Sequence, residues 1–149
     1  MKNKSLLIKN GSLVNSSGIS KADIFIVNGK ITEIEASLNF LNRNFPKKIN
    51  ILHCVSNYPT PYRDVNLNVI KELKKRFGYT VGFSDHTIGI ECSLAAVAMG
   101  ANILEKHVTL DKTQIGPDHK VSATIEEFEQ LVLSVRNIEN ALGKSEKKF

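Results

Sequence analysis

The stretches Gly82-Phe83-Ser84-Asp85-His86-Thr87 and Ala101-Asn102-Ile103-Leu104-Glu105-Lys106-His107 decide the fold of this chain. Each ends a short apolar run that is typical of a β-strand, and a helical pattern follows each run. Neighbouring parallel strands end at the same rim of a sheet, where open α/β sheets and barrels bind ligands. The sequence therefore predicts that His86 and His107 lie at one carboxyl-terminal rim.

Two converging imidazoles can hold a divalent metal ion through their neutral ring nitrogens. The alternative is that each histidine is a half-buried polar residue satisfied by its own hydrogen bonds. Because Asp85 and Glu105 stand beside His86 and His107, the pattern favours a metal site. Glu105 is predicted either to form a local ion pair with Lys106 or to lie near the metal, and Asp85 is expected to anchor the loop.

The second part of the chain alternates between strand and helix patterns. Such repeats form right-handed crossovers and a parallel sheet. Three β-α units are too few for a closed barrel of eight strands, so the prediction is an α/β fold in the form of a partial TIM-type barrel with two open edges. The predicted strands are Ile49–Val55, Thr80–Phe83 and Ala101–Leu104. The predicted helices run from an Asp64 cap to Gly78, from Glu91 to Met99, and from the Thr124/Glu127 capping box to Gly143.

The sequence pattern of residues 1–36 predicts a small N-terminal β-hairpin segment. Asn10-Gly11 and Asn28-Gly29 supply the two positive-φ residues of a type I′ turn, so a tight hairpin is predicted at each. Asn15–Ser20 is predicted to be a loop. Residues 37–48 are predicted to be a linker or a short helix, and residues 49–149 form the partial barrel.

Composition restricts the class of partner. The 149 residues are 42% hydrophobic and 23% charged, as in a globular protein, and the net charge of +5 suits an anionic small substrate. The chain has no Trp, and its aromatic residues are not interleaved with basic ones, so no nucleic-acid partner is expected. No apolar run approaches a membrane span, which predicts a cytoplasmic protein without a membrane partner. Cys54 and Cys92 are predicted to be buried free thiols.

The stretch from Ile51 to Gly143 resembles the C-terminal part of the catalytic barrel of bacterial sialic acid (nonulosonic acid) synthases. The matching blocks are Leu52-His53-Cys54-Val55-Ser56, Tyr58-Pro59-Thr60-Pro61, Gly82-Phe83-Ser84-Asp85-His86-Thr87-Ile88-Gly89, Glu105-Lys106-His107-Val108-Thr109-Leu110-Asp111 and Gly116-Pro117-Asp118-His119-Lys120. The blocks are ordered, and they cover about two thirds of the chain.

The resemblance implies a reaction and a cofactor. The synthases condense phosphoenolpyruvate with N-acetylmannosamine or a related sugar, with a divalent metal that is manganese or magnesium. It implies that His86 and His107 are the metal ligands, and two histidines suit manganese better than magnesium.

The resemblance also implies five substrate-binding residues: Tyr58, Asp118, Ser84, Ser56 and Asn57. Tyr58 and Asp118 would hold sugar hydroxyls, and Ser84 would face the phosphate. Some members have Asn where Ser56 stands, which leaves Asn57 as a substitute for that contact. The alternatives are that Tyr58 and Asp118 are turn residues and that Ser84 is a capping hydroxyl.

Residues 5–36 are similar to the start of dihydroorotase-like amidohydrolases. Those hydrolases bind metal through a His-x-His motif, which is absent from this sequence, so their chemistry is not expected and an amidohydrolase relic is disfavoured. The synthase resemblance implies that the first five barrel strands and an antifreeze-like domain lie outside this sequence. We therefore expect a homo-oligomer or a complementing chain, and little activity from this chain alone. The alternative is a non-catalytic fusion or truncation product that serves as an oligomerising domain.

Overall fold

The computed structural model describes residues 5–15, 18–27, 38, 39, 41–43 and 49–146, and for residues 5–15 and 18–27 it describes the backbone. The chain divides into two compact units, Met1–Lys48 and Ile49–Phe149.

In the N-terminal unit, strands β1 (Ser5–Asn15) and β2 (Gly18–Val27) pair in an antiparallel ladder. Asn15, Gly18, Ile19 and Ser20 are paired strand residues, so the predicted Asn15–Ser20 loop is wrong at these positions. The hairpin predicted at Asn10-Gly11 is also wrong, because both residues lie inside β1. The register of the β1–β2 ladder shifts between Ile8 and Gly11. A β-bulge, like a turn, can hold a residue that has no partner in the ladder, so Asn10-Gly11 lies at this irregularity.

The hairpin predicted at Asn28-Gly29 lies outside the described residues. Within the segment predicted to be a linker or a short helix, residues 38, 39 and 41–43 are helical.

The C-terminal unit confirms the predicted α/β class with three β-α units. Its three strands are parallel and lie in the order β3-β4-β5. The strands are β3 (Asn50–Cys54), β4 (Thr80–Asp85) and β5 (Ile103–Lys106), and the helices are α1 (Asn68–Phe77), α2 (Glu91–Ala98) and α3 (Ile125–Leu142). Strands β4 and β5 therefore end one residue before His86 and His107.

The helix termini follow the sequence signals in part. Gly78 ends α1 in the left-handed conformation (φ 68°), and Thr124 and Glu127 form the predicted capping box of α3. The predicted Asp64 cap is wrong. Asp64 instead ends a 3-10 turn (Tyr62–Asp64), and α1 begins at Asn68 without a side-chain cap.

The two faces of the sheet carry different side chains, because successive residues of a strand point to opposite faces. Asp85 on β4 contacts Ser93 of α2, so its face is the one that the helices cover. Ser84 bonds to Glu105 on the other face. Cys54, the last residue of β3, is exposed, so its predicted burial is wrong; Cys92 in α2 is buried, as predicted. No described helix is both long enough and apolar enough to cross a bilayer.

Candidate functional site

The structure brings His86 and His107 together. Their ring centroids lie 5.6 Å apart, and the ring planes meet at 69°. Strands β4 and β5 are paired in parallel up to Asp85 and Lys106, so the next residue of each strand emerges at the same rim. The adjacency predicted from the two sequence stretches is therefore present.

Backbone hydrogen bonds tie each histidine to a loop segment outside its own strand. The amide of Thr60 donates to the carbonyl of His86 at 2.8 Å, and the amide of Ala123 donates to the carbonyl of His107 at 2.9 Å. The first bond ties the loop after β3 to the end of β4. The second ties the residues before α3 to the end of β5. The rim is thus built from four segments rather than two.

The hydrogen bond of one ring nitrogen sets the tautomer of His86. Its Nδ1 lies 2.8 Å from the carbonyl oxygen of Val55. A carbonyl can only accept, so Nδ1 carries the proton and Nε2 of the neutral ring keeps its lone pair. This is the arrangement in which a histidine is oriented to bind a metal ion.

The ring of Tyr58 packs against both histidines. Its centroid lies 5.0 Å from that of His86 and 4.5 Å from that of His107. Its hydroxyl lies 3.3 Å from the Oγ of Ser122. Burial raises the pKa of the Tyr58 phenol, and the nearby charge of Asp118 raises it further, so the phenol remains protonated at neutral pH.

Asp118 stands at the side of His107 that faces the loop after β5. Its Oδ2 lies 3.8 Å from the Nδ1 of His107, and both side chains are roughly half exposed. This distance is an ion pair only when His107 is protonated. Ser122 donates its hydroxyl hydrogen to the carbonyl of Asp118 at 2.7 Å and thereby joins Asp118 to Tyr58.

Ser84 lies on the same face of the sheet as the two histidines. Its buried hydroxyl donates to Oε1 of Glu105 at 2.6 Å. The predicted ion pair between Glu105 and Lys106 is wrong, because adjacent strand residues point to opposite faces. Lys106 instead pairs with Asp85 at 3.1 Å, and Asp85 anchors the loop, as predicted.

Ser56 and Asn57 are exposed in the loop after β3. The carbonyl of Asn57 accepts a hydrogen bond from Thr60 at 2.6 Å, which closes this loop. Among the described hydrogen bonds, none joins the side chain of Ser56 or Asn57 to the histidines. The structure thus gathers His86, His107, Tyr58 and Asp118, with Ser84 beneath them, and leaves Ser56 and Asn57 at the edge.

The donors fit part of a metal shell. His86 and His107 offer two imidazole ligands from neighbouring strand ends. Within residues that the structure describes, no group of three or more His, Cys, Asp and Glu side chains is arranged to hold an ion. The remaining ligands would have to be water, substrate oxygens or groups of another chain.

Three contributors to the site could not be predicted from the sequence. Ser122 follows the last recognised block and carries no motif of its own. The carbonyl of Val55 acts through the backbone, which no side-chain pattern reveals. Cys54 has its Sγ 3.9 Å from both ring nitrogens of His86, and only the alternation of β3 could have placed it on that face.

Known proteins resemble this chain over most of its length. It is 50% identical over 118 residues to the N,N'-diacetyllegionaminic acid synthase of Campylobacter jejuni, a match that covers 78% of this chain and 35% of that protein. It is 42% identical over 142 residues to the N-acetylneuraminate-9-phosphate synthase of Homo sapiens, covering 95% of this chain and 37% of the human protein. This chain therefore spans a little over a third of the length of these relatives.

A solved structure shows the same fold. The N-acetylneuraminic acid (sialic acid) synthetase of Leptospira borgpetersenii, crystallised with citrate, superposes with a TM-score of 0.75 at 38% identity, covering 82% of this chain and 42% of that one. This likeness confirms the partial barrel. The NeuB family model matches residues 1–147, which include the segment predicted to be amidohydrolase-like; that likeness stays a prediction. By the family match and by these relatives, the chain belongs to the NeuB family.

Proposed function

We propose that this chain supplies the metal- and sugar-binding rim of a nonulosonic acid synthase. The reaction would be the condensation of phosphoenolpyruvate with N-acetylmannosamine or a related N-acetylated sugar. The observation that carries this proposal is the convergence of His86, His107 and Tyr58 at the carboxyl ends of adjacent parallel strands. The names of the relatives, which are synthases of N-acetylated sugar acids, support the same class of reaction.

His86 and His107 would hold the divalent cation. The Nε2 of His86 keeps its lone pair for a ligand bond, because Nδ1 carries the proton donated to Val55, and the Sγ of Cys54 contacts Nε2 only weakly at 3.9 Å. Two nitrogen ligands favour manganese over magnesium, which prefers an all-oxygen shell. Such a cation, when bound, would polarise the aldehyde of the open-chain sugar as a Lewis acid.

Tyr58 and Asp118 would hold the sugar. The hydroxyl hydrogen of Ser122 goes to the carbonyl of Asp118, so the hydrogen of the Tyr58 phenol goes to Ser122. The phenol oxygen can accept from a sugar hydroxyl, and the carboxylate of Asp118 can accept from two. Ser122 links the phenol of Tyr58 to the backbone carbonyl of Asp118. Ser56 and Asn57, which precede Tyr58 in the exposed loop, would contact the outer part of the substrate.

Ser84 would contact the phosphate of phosphoenolpyruvate only after a change of partner. Its hydroxyl hydrogen points to Glu105, and a phosphate oxygen needs a donor. Binding the phosphate would therefore require Ser84 to turn this hydrogen away from the carboxylate. The net charge of +5 favours the approach of such an anion.

The open sides of the sheet suit a site completed by other strands. In the described part of the chain, β3 and β5 each pair with β4 alone. An outer strand presents unpaired backbone groups that can bond to another strand. We propose that strands from a second copy or a complementing chain lie there.

A manganese titration tests the metal site. Wild type, His86→Ala and His107→Ala would be titrated with Mn²⁺ and followed by the electron paramagnetic resonance of the free ion. Loss of a residue that only orients a metal ligand typically lowers metal affinity roughly 10–100-fold. We expect the Mn²⁺ affinity of each histidine variant to fall by at least that factor. His119→Ala is the matched control, because the His119 ring bonds to Thr109 at 2.8 Å. Equal affinity in all four proteins would refute the metal site.

Phosphate release from phosphoenolpyruvate in the presence of N-acetylmannosamine and Mn²⁺ tests the reaction itself. We expect little release from the chain alone. Any release should disappear in His86→Ala and His107→Ala and persist in His119→Ala. Release that survives the loss of both His86 and His107 would contradict the proposed chemistry.

A further inference from the structure

A buried network lies on the helix-covered face of the sheet, directly behind the two histidines. Oδ2 of Asp85 lies 3.1 Å from the Nζ of Lys106, and the two side chains are 0% and 3% exposed. The same oxygen accepts the hydroxyl hydrogen of Ser93 from α2 at 2.5 Å. The other carboxylate oxygen accepts from the amide and the hydroxyl of Thr87, at 2.8 and 2.7 Å. Lys106 also donates to the carbonyl of Thr87 at 2.9 Å.

The residues of this network are neighbours of both histidines in the sequence. Asp85 and Thr87 are the residues on either side of His86, and their hydrogen bonds close a turn with His86 at its centre. Lys106 is the residue before His107, and it bonds to both of the residues that enclose His86. The network therefore links the backbone on either side of one ring to the backbone just before the other.

The proposed function includes a cation shared by His86 and His107, and the present inference rests on that function. We infer that Asp85 and Lys106 are positioning residues, which hold the two imidazoles at the separation and orientation that a shared divalent cation requires. They do this from the opposite face of the sheet and touch neither the cation nor the substrate.

Burial makes this cross-link rigid. Charges removed from water attract one another strongly, and the remaining lone pairs of Asp85 are satisfied by Ser93 and Thr87. None of the described buried polar side-chain atoms lacks a partner. An exposed pair such as Lys112 and Glu127 would give a weaker constraint, because water competes for both groups.

The test measures two quantities in each variant: the affinity for Mn²⁺ and the tautomer of the His86 ring. The double variant Asp85→Asn/Lys106→Met removes both charges, so that neither is left buried alone. We expect its Mn²⁺ affinity to fall by about tenfold or more, as for residues that orient a metal ligand. Ser93→Ala removes one hydrogen bond and should lower the affinity by about threefold. Long-range ¹H–¹⁵N spectra of the metal-free proteins should show that His86 loses its single Nδ1–H tautomer in the double variant.

Leu73→Ala is the control for a loss of metal affinity that results only from lower overall stability. Leu73 is buried on α1 and takes no part in the network. We expect this variant to be less stable and to keep both its Mn²⁺ affinity and its His86 tautomer. If the double variant does not fold, Ser93→Ala carries the test.

Each outcome decides between the hypotheses. Wild-type affinity in the folded double variant and in Ser93→Ala would overturn the inference, as would an equal loss in Leu73→Ala at matched stability. Unchanged affinity in His86→Ala and His107→Ala would overturn the proposed function instead. Loss in the histidine variants without loss in the network variants would overturn the positioning role alone.

Discussion

Replacing Leu131 by Ala should destabilise the C-terminal unit far more than replacing Leu133 by Ala. The two residues are the same type on the same helix, two positions apart. Leu131 is 2% exposed and is the buried residue of α3, whereas Leu133 is 55% exposed. The comparison therefore isolates burial from helix propensity, which is identical for both changes.

The structure sets the size of the expected loss. A buried Leu→Ala change costs about 2.7–5 kcal/mol, depending on how much of the cavity persists. Leu131 lines a cleft of about 200 Å³ that it shares with Val97, Phe128 and Val132. Because Phe128 and Val132 are partly exposed, water can enter the space left behind, which favours the lower end of the range, about 3 kcal/mol. For Leu133→Ala we expect less than about 0.5 kcal/mol.

Urea denaturation followed by circular dichroism measures both changes. Leu131→Ala should lower the midpoint, and Leu133→Ala should leave it near that of wild type, with unchanged slopes. If the two variants unfold within about 0.5 kcal/mol of each other, α3 is not held by Leu131 and the packing argument fails.

A thiol reagent should modify Cys54 in the native protein and reach Cys92 only on unfolding, because Cys54 is exposed and burial raises the pKa of the Cys92 thiol; equal labelling rates would contradict this. The raised pKa of Tyr58 means that its phenol stabilises the fold below the ordinary value of 10.0, and this contribution is lost as the pH rises through the folded pKa. Wild type should therefore lose stability relative to Tyr58→Phe as the pH rises above the ordinary value of 10.0, and an unchanged difference between the two proteins across that range would refute it. The open sides of β3 and β5 predict oligomers in light scattering, and a clean monomer would count against a completed sheet.

Sequence signals predicted helix ends correctly where the interacting residues are close together in the chain. The Thr124/Glu127 capping box and Gly78 act within one turn of a helix, so the sequence predicts α3 and the end of α1. Asp64 and Asn10-Gly11 carry equally good local signals and serve other purposes. A 3-10 turn uses Asp64, and a register shift in β1 absorbs Asn10-Gly11.

The candidate site shows the same division. The sequence places His86 and His107 at neighbouring strand ends, because the strand–helix repeat makes those ends adjacent. It does not show that Lys106 bonds to Asp85 rather than to Glu105, since this depends on which face each side chain occupies once the register of β4 and β5 is set.

By itself, the sequence determined the order of strands and helices in the C-terminal unit, its parallel sheet and the pair of histidines at one rim, because the periodicity and the caps that specify each element act over a few residues. Only the tertiary structure decided the tautomer of His86, the meeting of Tyr58 with Ser122, and the charge pair behind the site. Those contacts join residues distant in the chain, and their geometry exists only when separate segments pack at one rim of the sheet.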